Sequence, residues 1–222
     1  MKKFIPVLIG IGVIIVAVVA FFVIRGSKGS SSSSSGSEEA NTPLLPESEW
    51  PAISLTPTSD PTVSGSLGHW LDFKVEKINV QGATSMDYLL VYNTSDGGQQ
   101  GVPGTVKLTG GDIDRPLLLG SESSGKYRYD DGVEQGTMTI TFRDSNGKSV
   151  GKLATDFHLQ TGVTALTSVD GTFTYNLDKI AKNVYFVTMK TYLEPTVASV
   201  VWQNGYGVFA SDGKVHSGKL AQ

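Results

Sequence analysis

Residues 137–160 read TMTITFRDSNGKSVGKLATDFHLQ, two alternating runs joined by a turn. In the first, Met138, Ile140 and Phe142 share one parity and Thr137, Thr139 and Thr141 the other, the pattern of a strand with one buried face. In the second, Leu153, Thr155, Phe157 and Leu159 line one side, which leaves His158 on the polar side and predicts it at the surface. Between the runs, Asn146-Gly147 tolerates the positive φ angles of a tight hairpin. The two runs are therefore predicted to be antiparallel neighbours. Asp144-Ser145-Asn146-Gly147 also resembles the opening of a calcium loop. Lys148, Ser149 and Val150 follow where further oxygen ligands would stand, so the segment reads as a turn in which Asp144 is dispensable.

The same grammar extends in both directions. LDFKVEKINV, residues 71–80, changes parity after Val75, and a β-bulge near Glu76 and Lys77 is expected to reconcile its halves. DYLLVYN (87–93) and VYFVTMKTYL (184–193) are dense in apolar residues, as strands covered on both faces tend to be. Shorter strands are expected around TVKLTG, GKYRYD, TFTYNL, VASVVWQ and GYGVFAS, and NLDKIAKN (176–183) carries the only helical hint. Many short strands punctuated by glycine predict an all-β domain: an antiparallel β-sandwich, with a partly open β-barrel as the alternative. One domain over residues 65–222 is expected, the alternative being two small sandwiches joined near Gly162.

The chain opens differently. Phe4–Ile24, FIPVLIGIGVIIVAVVAFFVI, holds no charge, amide side chain or hydroxyl. As a helix rising about 1.5 Å per residue it is long enough for the roughly 30 Å of a bilayer's hydrocarbon. A cleaved signal peptide is the rival reading, with Lys2 and Lys3 as its basic start and Val18-Val19-Ala20 as its cleavage point. The apolar run continues past that point through Phe21, Phe22, Val23 and Ile24, which favours a retained anchor. Lys2 and Lys3 on one side balance Arg25 and Lys28 on the other, so flanking charge does not orient the helix. The serine tract that follows suits a stalk outside the cytoplasm, with residues 1–3 inside.

Residues 25–64 read as that stalk. Its Gly/Ser half has no apolar side chain with which to offset the entropy of ordering. Its second half carries Pro43, Pro46, Pro51, Pro57 and Pro61, which favour an extended chain. Leu44, Leu45, Trp50, Ile53 and Leu55 are unusual in a spacer; they predict packing along the domain's edge or a linear docking motif.

Composition narrows the chemistry. Eighteen basic and 21 acidic residues give a formal charge of -3 with no basic block, so nucleic acid is not an expected partner. The chain has no cysteine, which excludes disulfides, thiolate metal sites, a cysteine nucleophile and a lipidated cysteine. His69, His158 and His216 stand on separate segments, without the spacing of a zinc site. GSESSG (120–125) has serines without the frame of a nucleophile elbow. No metal or cofactor is expected.

Three groups remain as candidate binding residues. Asp112 and Asp114 in GGDIDRP, and Asp130 and Asp131 in YDDGVE, place carboxylates in pairs beside glycine, a pattern shared with solvated turns. Tyr127 and Tyr129 alternate with Lys126 and Arg128, so one face of that strand is aromatic, suited to core packing or to stacking on sugar rings. Asn93-Thr94-Ser95 is a glycosylation sequon by pattern. Together these features predict a membrane-anchored, extracytoplasmic β domain, held to the lipid bilayer by residues 4–24. It is expected to act as a noncatalytic module that binds a cell-surface glycan or protein. The competing class is a carbohydrate hydrolase using carboxylates from Asp112, Asp114, Asp130, Asp131 or Glu134.

Overall fold

Among the described residues fifteen strands follow one another with almost no helix, as the turn-punctuated sequence requires. A computed structural model describes residues 42–221. The anchor Phe4–Ile24, residues 1–3 and the Gly/Ser stalk to residue 41 lie outside the described residues. No helix among the described residues is long and apolar enough to cross a membrane. The strands are β1 Ala52–Thr58, β2 Trp70–Glu76, β3 Ser85–Asn93, β4 Gln99–Lys107, β5 Ile113–Leu118, β6 Gly120–Ser123, β7 Lys126–Tyr129 and β8 Gln135–Arg143. They continue as β9 Ser149–Thr161, β10 Ala165–Thr167, β11 Thr174–Leu177, β12 Tyr185–Lys190, β13 Val201–Gln203, β14 Tyr206–Ala210 and β15 Gly218–Leu220. A 3-10 turn spans Glu47–Glu49.

The β8–β9 hairpin forms as the alternation demands: Met138, Ile140 and Phe142 are fully buried, as are Leu153 and Phe157, and the strands pair antiparallel. Gly147 takes φ +79 and its N–H donates to the Asp144 carbonyl. The Asp144 carboxylate accepts the N–H groups of Asn146 and Lys148, so it organises the turn and is not dispensable.

This hairpin is the middle of a seven-stranded sheet ordered β13-β14-β12-β9-β8-β3-β4. A three-stranded sheet, β1-β2-β5, contributes Ile53, Leu55, Leu71, Phe73, Val75, Ile113 and Leu117 to a core shared with Met86, Leu90, Ile140, Phe157 and Met189 of the large sheet. A second core gathers Leu166, Phe173, Tyr175 and Leu177, from the β10-β11-β15 sheet and its approach, with Phe186, Tyr206 and Val208. In β12 consecutive residues serve opposite cores, Phe186 one and Val187 the other, which is why VYFVTMK reads as continuously apolar. All pairs between these strands are antiparallel, and the sheets do not close into a barrel. Residues Pro43–Gln222 form one compact unit.

Four local expectations change. β1 lies inside the stretch assigned to the stalk: Ala52, Ile53, Leu55 and Pro57 are buried, and the folded unit starts near Pro43 rather than at residue 65. β1 is an edge strand, the position where a proline such as Pro57 is tolerated, so the expected edge packing holds for this part. β2 ends at Glu76 and Lys77 takes φ +57, so the parity change marks a turn out of the strand and not a bulge within it. The register does slip between Phe142 and Arg143, beside the hairpin turn. β3 is covered on one face only, with Leu89 and Val91 half-buried on the other, and NLDKIAKN forms the end of β11 and a turn, with no helix.

Candidate functional site

The start of β2 is delivered by a tightly held loop. Asp60 accepts the N–H and hydroxyl of Thr62, which holds its carboxyl below the usual range, and the buried Ser66 hydroxyl donates to backbone carbonyls of the same loop. Residues Ser59–Leu67 line an open depression of about 490 Å³. The His69 N–H donates to the Ser66 carbonyl, while its own carbonyl accepts the Leu119 N–H. That second bond brings the β6–β7 hairpin against the start of β2. Gly120 sits at the base of that hairpin with φ +153, where a Cβ would overlap the Arg128 carbonyl oxygen; only glycine permits so close a turn.

Four rings meet there. Tyr127 and Tyr129 are parallel, with centroids 6.4 Å apart and planes 3° from each other. His69 stacks on Tyr129 at 4.5 Å, and Trp70 meets Tyr127 edge-on at 5.7 Å. All four residues are half-buried, so the cluster is neither interior core nor free surface. The Tyr129 hydroxyl and Trp70 Nε1 are buried atoms with no hydrogen-bond partner. Burial together with the nearby Asp60 carboxylate pushes the Tyr127 phenol up.

The polar half of the site continues along β2. Leu71, Phe73 and Val75 point into the core, so Trp70, Asp72 and Lys74 share the opposite face. Lys74 Nζ lies 3.1 Å from Asp114 and 3.7 Å from Asp72. The register that pairs Lys74 with Asp114 on β5 creates this triad. Burial and a hydrogen bond with Asp114 push Asp72 up to about 6, Lys74 acting in the other direction. Asp114, which receives that hydrogen bond and lies beside Lys74, is held below its usual value.

The other carboxylates singled out by sequence separate. Asp112 is exposed in the loop before β5. Asp130 accepts the Tyr92 hydroxyl at 2.9 Å, and burial followed by this contact raises the Tyr92 phenol. Asp131 is exposed, and its carbonyl accepts the Ser95 N–H. Glu134 is exposed and its carbonyl accepts the Leu159 N–H, a backbone role. Among the described residues no three His, Asp or Glu side chains are placed to hold a metal. His158 lies on the predicted face of β9, yet β10 roofs it: Nδ1 is 2.8 Å from the Thr167 carbonyl oxygen, and the residue is half-buried.

Of the residues singled out from the sequence, Tyr127, Tyr129 and Asp114 fall in this cluster, which also brings in His69, Trp70, Asp72 and Lys74. For three of these the signal was present, because the parity that sends Leu71, Phe73 and Val75 inward sends Trp70, Asp72 and Lys74 outward; His69 precedes the strand on the inward parity and had no such signal. A second ring cluster, Trp50, Tyr192 and Tyr206 with Lys190 over the latter two rings, is bound up internally. Tyr192 donates to Glu47 and Tyr206 donates to Asp170. Burial opposes ionisation of Asp170, but hydrogen bonds from Ser168, Tyr206 and Thr172 bring it down to about 2. Comparison with known proteins returns no matching family model, no matching curated protein and no matching solved structure.

Proposed function

We propose that the chain is a single-pass, N-terminally anchored protein that displays a β-sandwich outside the cytoplasm and binds a cell-surface glycan without transforming it. The observation that carries this reading is the gathering of His69, Trp70, Tyr127 and Tyr129, from two separate elements, beside the Asp72–Lys74–Asp114 triad. Rings with apolar faces and polar edges suit the CH and OH surfaces of a sugar. The Gly/Ser composition ahead of the domain suits a tether and hence binding too, because a tether raises the effective concentration of a domain near a neighbouring surface.

The hydrolase alternative has less support. Glycosidases hold their two carboxyls roughly 5 to 9.5 Å apart, leaving room for the scissile oxygen or a water. Asp72 and Asp114 instead both engage the single Lys74 ammonium, at 3.7 and 3.1 Å, as an ion-paired cluster. The test is a glycan array probed with the full-length chain in detergent, beside a panel of glycosidase substrates. Saturable binding lost in Tyr127→Ala, with no turnover, is the expected result. Turnover abolished by Asp114→Asn would replace this reading with the hydrolase.

A further inference from the structure

We propose that the outer face of the β1-β2-β5 sheet takes an uncharged oligosaccharide, with a sugar ring against Trp70 and Tyr127 and neighbouring hydroxyls held by Asp72, Lys74 and Asp114. The inference rests on the binding reading above and specifies its ligand. Cross-strand register lays the face out in rows. Thr58, Trp70 and Leu118 form one, Thr56, Asp72 and Pro116 the next, and Ser54, Lys74 and Asp114 the third. Same-face residues of a strand stand about 6.6 Å apart, so Trp70 to Lys74 spans about 13 Å, a length suited to an extended chain and not a single small group.

The polar chemistry alternates along that line. A carboxylate accepts hydrogen bonds from hydroxyl groups, and an ammonium donates to their lone pairs. With two carboxylates around one ammonium, the triad therefore offers acceptor, donor, acceptor, the complement of vicinal hydroxyls that both give and take. Charge argues against the other ligand classes. When Asp72 and Asp114 are ionised the triad carries a net negative charge, which repels sialylated, sulfated or phosphorylated chains. Thr56 and Thr58 are half-buried on the same side and add hydroxyls along the edge. Ser54 is fully buried in the Lys74 row, and its Oγ has no partner. Pro116 and Leu118 supply apolar floor between the polar groups.

Occupancy should follow the state of Asp72, which offers both oxygens as acceptors when ionised but on protonation turns one into a donor directed at Asp114. The groups facing it are Lys74 on β2 and Asp114 on β5, with Arg115 next to Asp114; β1 presents no titratable side chain here. Burial and the Asp114 contact place its protonation at about 6, so affinity should fall as pH drops from 7.5 to 5.

The experiment uses the full-length chain in a detergent without a sugar headgroup. It measures binding to neutral hexasaccharides (cello-, manno-, laminari- and chito-hexaose), to sialylated and sulfated glycans, and to a peptide array. The expected result is saturable binding to at least one neutral hexasaccharide. Asp72→Asn and Lys74→Met should each weaken it tenfold or more, and the unmodified chain should lose affinity at pH 5. Melting temperatures of both variants, measured alongside, separate loss of contact from loss of fold. Tyr127→Ala tests the aromatic half alone. Binding abolished by Tyr127→Ala but unchanged within twofold in Asp72→Asn and Lys74→Met would overturn the polar assignment and leave the aromatic site standing. Binding only to anionic glycans or peptides would overturn the ligand class, and binding to none of the probes would overturn both readings.

Discussion

Replacing Leu55 by alanine separates the folded reading of residues 52–58 from the spacer reading that their prolines suggest. Leu55 is fully buried, and its cross-strand partner Phe73 is fully buried as well. Removing a buried leucine to alanine costs about 2 to 5 kcal/mol, because both transfer energy and a residual cavity contribute. Neighbours packed from two sheets leave the site little room to collapse, so about 3 kcal/mol is the working value. Against a total stability of about 5 to 15 kcal/mol the domain still folds. For a domain of this size each kcal/mol moves Tm by about 2 to 4 °C, which gives a drop of about 6 to 12 °C. The assay is thermal unfolding of the fragment that begins at Pro43, followed by circular dichroism. Leu44→Ala is the matched control, since Leu44 is 71% exposed. A Leu55→Ala shift no larger than that of the control would show that β1 does not hold the core and would refute the reasoning.

Other perturbations probe the sheet, the triad and the turn. A Cβ at Gly136 would overlap the Val91 carbonyl oxygen and crowd the Phe157 ring, so Gly136→Ala should lower the urea midpoint strongly; an unchanged midpoint would mean that β3 and β8 are not in this register. Asp72 has a folded pKa of about 6, above the usual carboxylate value of about 3.9, so the stability it confers is full below pH 3.9 and lost as pH rises through 6. Asp114 is shifted the other way and acts at lower pH, so Asp72→Asn should remove the decline in urea midpoint between pH 4.5 and 7.5; parallel curves for the two proteins would contradict the coupling. Asp144→Ala strips the acceptor from two turn N–H groups and should cost about 1 kcal/mol, with the N–H groups turning to water; a loss of calcium dependence in that variant would show a metal role instead.

How much was legible beforehand depended on how local the information was. The pairing and buried faces of the β8–β9 hairpin could be read, because its two faces and its turn are written within one continuous stretch, and alternation identifies the buried parity whichever strand lies alongside; the role of Asp144 and the register slip beside the turn could not. The same holds for the inward set Leu71, Phe73 and Val75, and for Tyr127 and Tyr129 sharing a face of β7. An all-β fold with antiparallel sheets followed from these runs, since short alternating segments with glycine turns have no other way to pair their backbone groups.

What the tertiary structure alone decided is where distant segments meet. The prolines of residues 43–61 argue against a strand, yet a single free edge accommodates Pro57, and burial of Ile53 and Leu55 outweighs local propensity. Lys77 ends β2 by taking a left-handed conformation, which sequence parity cannot tell from a bulge. His158 is on the face its parity predicts, but only the placement of β10 covers it. The triad is the clearest case: Asp72 and Asp114 lie on strands separated by two others in the chain, and only the β2–β5 register sets Lys74 opposite Asp114. Alternation fixes which side of a strand a residue occupies; it carries no information on which strand lies next to it or at what offset, because that choice is made by packing summed over the whole core.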